Sequence, residues 1–286
     1  MKSEVYIALD IGGTKIMVAA INSKREILDR EKVDTPKSLA EGLDLLSRLI
    51  SSLGEGRQII SIGASAGGPL NHETGVVSPL HFPEWREVPL KKIIEDQFNV
   101  PFAVDVDTNT SALAEYEFGG HSSERLLYIT LSTGMGGGLI VDGQIYRGEG
   151  GSHPEIGHQV VPYKLPVTGP IECLCGGYDC LEAIICGSAI RKHYSKSAEE
   201  LLPDEWDQVA YNLGQGLRNI ITICAPSVIV LGGGMALGGG SRLIEGAMTV
   251  LEENVKIVPI PKLRLSKLGY DSSLWGAYAL SLLALK

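Results

Sequence analysis

One pattern occurs twice in this chain and limits the fold more than composition does. Residues 5–9 (Val-Tyr-Ile-Ala-Leu) form an apolar run rich in strand formers that ends at Asp10 and a glycine pair. After Lys15 a second apolar run covers residues 16–21. Two strands joined by a Gly-rich turn make a hairpin. The layout returns later in the chain: a strand over 125–132, the turn Thr133-Gly-Met-Gly-Gly-Gly138, and a strand over 139–141. Repetition of this kind predicts two related halves. Each turn offers bare backbone N–H groups and a Thr hydroxyl, and the first adds Lys15, so each can hold phosphate. No helix is signalled after Lys15, which excludes a P-loop. A plain hairpin turn is the alternative for either copy alone. The duplication favours the phosphate reading, with an anionic polyphosphate held from two sides.

The segments between the copies alternate helix and strand signals. Ser38-Leu-Ala-Glu41 is a capping box that opens a helix with Leu39, Leu43, Leu46, Ile50 and Leu53 on one face. Residues 59–66 read as a buried strand that breaks at Gly67-Gly68-Pro69, where backbone without side chains can approach a ligand. Residues 81–85 form a loop whose aromatics serve packing, 88–98 a short helix, and 101–106 a strand. That strand delivers Asp107 to its C-terminal end, in Asp105-Val-Asp107-Thr-Asn109, ahead of a helix to about residue 118. Ligands of open α/β sheets gather at such ends. Asp107 there suits a general base, and equally a helix cap. Further on, helices are expected over 181–193 and 204–224, and a strand over 228–231. A third Gly-rich turn over 232–240 precedes a helix over 241–255. That turn either faces a flat ring or is a flexible connector. A strand over 262–266 and a helix from 271 complete the reading.

The stretch from His153 to Glu182 carries a different chemistry. It holds His158, Cys173, Cys175 and Cys180, with Glu155 and Glu182 at its flanks. Thiolates with imidazole suit a tetrahedral zinc ion of structural type. The alternative is three unrelated thiols in a Gly-rich loop. With zinc in place, both acids stand at fixed positions beside the loop, and the metal braces a polar pocket.

Composition bounds the partners. At 286 residues the chain is long enough for two domains with cores of their own, and 44% apolar with 21% charged residues fits a globular protein. A net charge of -9 argues against a nucleic-acid surface. Five cysteines, three of them clustered, fit a reducing compartment better than a disulfide framework. No leader-like run opens the chain and no segment reaches membrane-spanning length, so the expected location is the cytoplasm, with no membrane partner.

Taken together, these residues resemble the ROK family of sugar kinases over essentially the full chain. The likeness rests on Asp10-Ile-Gly-Gly-Thr-Lys15, Asp107-Thr-Asn109 with Ala-Leu-Ala-Glu115, Ser132-Thr-Gly-Met-Gly-Gly-Gly138 and Glu155-Ile-Gly-His158. It also rests on Cys173-Leu-Cys175-Gly-Gly-Tyr-Asp-Cys180-Leu-Glu182, Leu231-Gly-Gly-Gly234 and Ser273-Leu-Trp-Gly-Ala277. The resemblance implies an α/β, two-lobed actin/hexokinase-like (ribonuclease H-like) fold with a cleft between duplicated halves. Its lobes would be residues 1–108 plus 271–286, and 109–270 with the zinc loop. It implies phosphoryl transfer from ATP to a terminal hexose hydroxyl, with Mg²⁺ and structural zinc, in a homodimer or homotetramer. Asp107 would be the base, and Asp10 would help to place Mg²⁺. Gly12, Gly13, Thr14, Lys15, Thr133 and Gly134 would meet phosphates, and Gly233 and Gly234 would lie under the adenine. Gly68, Glu155, His158 and Glu182 would read the sugar, and His158, Cys173, Cys175 and Cys180 would hold zinc. Two departures bear on the substrate: Val106 stands where the family commonly has a sugar-binding Asn, and His81 where many members have Asn. The form His153-Pro-Glu155-Ile-Gly-His158 and the arrangement Asp105-x-Asp107-x-Asn109 look most like the fructokinase branch, whereas Cys173-Leu-Cys175-Gly-Gly looks like the glucokinase and repressor branches. Glucose is the expected acceptor, with fructose, mannose or an N-acetylhexosamine as alternatives and polyphosphate as an alternative donor. A sugar-responsive repressor of the same family would carry a DNA-binding segment ahead of the first strand, which begins here by Val5.

Overall fold

A computed structural model describes residues 2–80, 82–121 and 125–286. In chain order the elements are β1 (Glu4–Ile11), β2 (Lys15–Ile21), β3 (Ile27–Asp34), α1 (Leu39–Gly54) and β4 (Gln58–Ala66). The short strands β5 (Leu70–Asn71), β6 (Val76–Val77) and β7 (Val88–Pro89) follow, then α2 (Leu90–Phe98), β8 (Phe102–Val106) and α3 (Asp107–Glu117). The second half has β9 (Arg125–Leu131), β10 (Met135–Val141), β11 (Gln144–Ile145), α4 (Leu181–Ile185), α5 (Gly187–Tyr194) and α6 (Pro203–Cys224). It ends with β12 (Val228–Gly232), α7 (Gly234–Asn254), β13 (Lys262–Leu265) and α8 (Ser272–Leu283). These elements gather into two compact units, Met1–Phe118 with Asp271–Lys286, and Gly119–Tyr270.

The first unit is built on a sheet of order β3-β2-β1-β4-β8, antiparallel across β1, β2 and β3 and parallel across β1, β4 and β8. The central strands are apolar on both faces because both faces are covered. Leu46, Leu49 and Ile50 of α1 pack on Ile7, Leu9 and Val18 on one side, and Leu274, Ala277 and Tyr278 of α8 pack on Ala8, Met17 and Ala19 on the other. The edge strand β3 reads Ile-Leu-Asp-Arg-Glu-Lys-Val-Asp and is mostly exposed, and its charges blunt edge-to-edge pairing. Ser38 accepts the Glu41 N–H at 3.3 Å, which makes the N-cap half of the predicted capping box. Phe82 and Trp85 stack in the core as packing residues, while His81 lies outside the described residues.

The second unit repeats the arrangement, with order β11-β10-β9-β12-β13, antiparallel across the first three strands and parallel across the last three. The duplication expected from the two hairpins is therefore a duplication of a whole five-stranded topology. Three expectations need correction. Helix α7 starts at Gly234, so most of the Gly-rich stretch expected as a turn is helical, with a break at Gly240 (φ 54°, ψ −137°). Packing explains Gly239 in this stretch and Gly246 beyond it: a Cβ on Gly246 would stand 2.6 Å from Ala210, and one on Gly239 2.7 Å from Trp206, whereas a Cβ on Gly238 would meet open space. Gly136 to Gly138 belong to β10 rather than to the turn before it. The helix expected over 181–193 breaks at Cys186 into α4 and α5.

Candidate active site and metal centre

In the first unit the glycine turn and Asp107 sit at the C-terminal ends of β1 and β8, where the parallel strands deliver them. Asp10 lies opposite Ser65 of β4 and Met17 of β2 and is half-buried. Its carboxyl is pushed up to about 7, first by burial and then by the negative charge of Asp107. Asp271 adds to the rise, and Lys32 and Arg30 oppose it. Two carboxylates that repel one another in this way fit a Mg²⁺ ion, whose hard charge would relieve both. The turn is tied to the end of β3: Gly12 N donates to Lys15 O at 3.0 Å, Thr35 N to Thr14 O at 3.0 Å and Thr35 Oγ1 to Gly12 O at 2.7 Å. Thr14 and Lys15 are exposed, and the Lys15 ammonium is paired with Asp34. Gly13 is likewise exposed. Gly68 follows β4; its carbonyl accepts the Leu80 N–H at 3.0 Å, and a Cβ there would stand 3.3 Å from Val106.

Asp107 is the exposed first residue of a helix that is otherwise buried from Thr108 to Glu115. Its Oδ1 accepts the Thr108 N–H at 2.8 Å. Beneath it, Asp105 Oδ1 accepts from Val106 N at 2.7 Å and from Asn109 Nδ2 at 3.0 Å. Thr110 Oγ1 donates to Asp107 O at 2.8 Å and meets Ser65 Oγ at 2.9 Å. Sequence reading left these partners aside, because a buried Asp–Asn pair four residues apart looks like any capping segment.

In the second unit the other turn is clamped by helix starts. Ser132 O accepts the Gly187 N–H at 2.6 Å; Thr133 O accepts Ser188 N at 3.1 Å and Ser188 Oγ at 2.9 Å. From the other side Glu182 Oε2 accepts the Met135 N–H at 2.8 Å, and a Cβ on Gly134 would stand 3.2 Å from that oxygen. Glu182, expected to read a sugar, thus also anchors this turn. Gly157 lets the Glu155-Ile-Gly-His158 turn reach the same place: a Cβ there would stand 2.9 Å from Met135 O and 3.2 Å from Glu182 Cβ. Gly233 precedes α7 with φ 85°, and any Cβ there would stand 2.5 Å from Leu131 O, so this position needs glycine; Gly234 opens α7.

The four metal-type ligands converge. One atom each of His158, Cys173, Cys175 and Cys180 lies within 4.8 Å of all the others. Cys173 Sγ is 3.6 Å from His158 Nδ1, and Cys175 Sγ is 3.6 Å from Cys180 Sγ. A tetrahedral zinc ion with Zn–S of about 2.3 Å and Zn–N of about 2.0 Å requires edges of about 3.5–3.8 Å. The donor set and its spacing are compatible with zinc. Burial pushes the Cys180 thiol up to about 12 and raises Cys173 as well, whereas hydrogen bonds from the Gly177 backbone and the neighbouring thiols lower Cys175. A tight hairpin delivers them. Cys173 N donates to Gly177 O at 2.9 Å, Gly176 takes φ 89°, and Asp179 closes the base with its Oδ1 accepting Ile171 N at 2.8 Å. Asp179 went unremarked in the sequence, since nothing local shows that its partner lies eight residues upstream. The His158 ring turns Nδ1 to the thiols and Nε2 toward Glu155 Oε2, 3.8 Å away. Glu155 is exposed, and its Oε1 stands 3.4 Å from His153 Nε2.

With this geometry in view, likeness to known proteins is informative. The model of the ROK family matches residues 6–283. A glucokinase from Streptomyces coelicolor is 30% identical over 80% of this chain and 82% of its own length. A fructokinase from Zymomonas mobilis is 29% identical over 98% and 97%. An N-acetyl-D-glucosamine kinase from Histophilus somni is 30% identical over 97% and 99%. Among solved structures, a ROK hexokinase from Thermus thermophilus superposes with a TM-score of 0.85 at 29% identity, covering 100% of this chain and 99% of that one. A ROK family glucokinase from Streptomyces griseus, in complex with glucose and AMPPNP, superposes with a TM-score of 0.77 at 26% identity, covering 98% and 99%. The chain has the actin-like two-domain fold of these enzymes. A repeated five-stranded topology, paired Gly turns and a match over nearly every residue lead to one conclusion: this chain belongs to the ROK family and is one of its sugar kinases.

Proposed function

We propose that this sugar kinase transfers the γ-phosphoryl group of ATP to the terminal hydroxyl of a hexose, with glucose as the preferred acceptor. The observation that carries the reading is the orientation of His158. One ring nitrogen faces the thiols and the other faces Glu155, so a single imidazole can stand on a structural zinc ion and still offer an N–H to a sugar hydroxyl. Glu155, His158 and Glu182 bind the hexose, as carboxylates suit paired hydroxyls, and Gly68 offers bare backbone to it. Asp107 takes the proton of the acceptor hydroxyl while the phosphoryl group arrives. Such transfer is governed by positioning and charge neutralisation. Asp10 would help to hold Mg²⁺, which when bound would supply neutralisation of charge on the phosphates. Gly12, Gly13, Thr14, Thr133 and Gly134 line the phosphates, Lys15 joins them on leaving Asp34, and Gly233 and Gly234 lie under the adenine. The clustered thiols suit a reducing compartment such as the cytoplasm.

A panel assay of ADP release across glucose, fructose, mannose and N-acetylhexosamines tests the substrate. The highest kcat/KM is expected with glucose. A maximum with an N-acetylhexosamine would move the chain to that branch, and no release with any sugar would end the hexose reading. In the same assay Asp107→Asn should lower kcat by about 10³-fold or more while glucose binding, followed by calorimetry, stays within a few-fold of the unaltered protein. Near-normal turnover in that variant removes the base assignment.

A further inference from the structure

Four polar side chains are buried directly beneath Asp107, in a strand–helix junction that an apolar core could fill more cheaply. Ser65 and Thr110 are fully buried, and Asp105 and Asn109 are each 1% exposed. Burying an acid and an amide costs several kcal/mol unless their hydrogen bonds form, and replacing such groups by apolar ones of similar volume is often neutral or stabilising. Their presence therefore asks for an explanation other than stability. Four of their bonds meet at the first turn of α3. Asp105 Oδ1 receives the N–H of Val106 and the amide of Asn109, and so joins the end of β8 to the second residue beyond Asp107. Ser65, on the neighbouring strand and in register with Asp105, meets Thr110 Oγ1, which in turn donates to the carbonyl of Asp107 itself. Two chains of hydrogen bonds from two adjacent strands thus converge on the backbone that flanks one exposed carboxylate.

We propose that Asp105 and Asn109, with Ser65 and Thr110, form a buried polar clamp whose role is to fix the position of Asp107 for proton abstraction. They are positioning residues, and the inference rests on the reading of Asp107 as the base. A displacement of the reacting group by about 1 Å costs on the order of 10²-fold in rate, and partners behind functional side chains commonly account for about 10- to 100-fold in activity. The clamp limits such a displacement by holding the Asp107 backbone through its carbonyl.

The test separates positioning from folding. In Asp105→Val/Asn109→Leu both members of the pair become apolar together, so the Asn109 amide is not orphaned and the Val106 N–H alone of the two donors loses its acceptor; the melting temperature should fall by no more than about 10 °C. Its kcat should fall about 10- to 100-fold, with KM for glucose and for ATP within about twofold. Asp105→Asn keeps the oxygen that accepts both bonds and should retain a kcat at least about tenfold above that of the apolar pair. Thr110→Val, which cuts the link to the Asp107 carbonyl, supplies a second variant should the pair not fold, and an approximately tenfold loss of kcat is expected there. A folded apolar pair or Thr110→Val with kcat within twofold of normal overturns the clamp. So does a loss in which Asp105→Asn fares no better than the pair. Asp107→Asn, assayed alongside, distinguishes the two failures. Normal turnover in Asp107→Asn removes the base itself, whereas its inactivity beside unaffected clamp variants removes only the clamp.

Discussion

A carboxyl group held near neutrality takes up a proton when the chain folds, and Asp10 is such a group. Between the ordinary carboxylate value and about 7 the folded state binds more protons than the unfolded one. Stability therefore falls as pH rises through that window and levels off above it. Without divalent cation, the melting temperature should drop between about pH 4 and pH 7, with a cost of roughly 1–3 kcal/mol at pH 8. Asp10→Asn should flatten the profile, and Mg²⁺ with nucleotide should offset the drop in the unaltered chain. Thermal unfolding across a pH series reads this directly, and an equal slope in Asp10→Asn would show that another group is responsible. At this scale the sequence was legible wherever a residue type carries its own chemistry. Asp10, Asp107, Glu155 and the three thiols announce themselves. Gly157 and Asp179 do not, because Gly157 makes room for Met135 and Glu182, and Asp179 receives the N–H of Ile171, neither of which can be read from local spacing.

Elements show the same division between local signal and distant cause. The central strands of the first unit follow from apolar runs and the cap of α1 from Ser38, so they could be read in order along the chain. The start of α7 could not. Glycine is a poor helix former, yet Gly239 and Gly246 lie in a helix because Trp206 and Ala210 of α6 come too close for a side chain. Close approach also governs α8. A Cβ on Gly63 would strike Ala277 O and stand 2.6 Å from Ser281 N, and one on Gly276 would strike the Thr110 backbone. Ser61 Oγ donates to Ser281 O at 2.6 Å, and Arg30 grips Asp271 with two bonds of 2.9 and 2.7 Å. Helix α8 thus fits between β4 and α3 with no slack. Gly63→Ala should cost about 2–4 kcal/mol by overpacking, measured by denaturant unfolding, and should lower activity through the shift of α3. A change below about 0.5 kcal/mol would mean that α8 moves aside freely.

The whole molecule consists of two units of one topology that are held together internally by different means. The first relies on a sheet covered on both faces, and the second adds a Cys₃His cluster compatible with zinc. Removing one ligand should therefore weaken the second unit selectively. Cys175→Ser is expected to lower zinc per chain, read by elemental analysis, and with it the thermal stability of the second unit, since metal binding and folding free energy are coupled there. Chelator treatment of the unaltered chain should act in the same direction. Unchanged zinc content in Cys175→Ser would refute the ligand set.

Helix α8 carries one consequence beyond stability. It belongs to the first unit, yet it follows the entire second unit in the chain. During synthesis on the ribosome, residues 1–118 emerge long before the helix that covers one face of their sheet. Ala8, Met17 and Ala19 must wait uncovered while the second unit, contiguous in sequence, is completed. The half made first is thus the half finished last, and the nascent chain exposes its apolar sheet face for the whole of that interval.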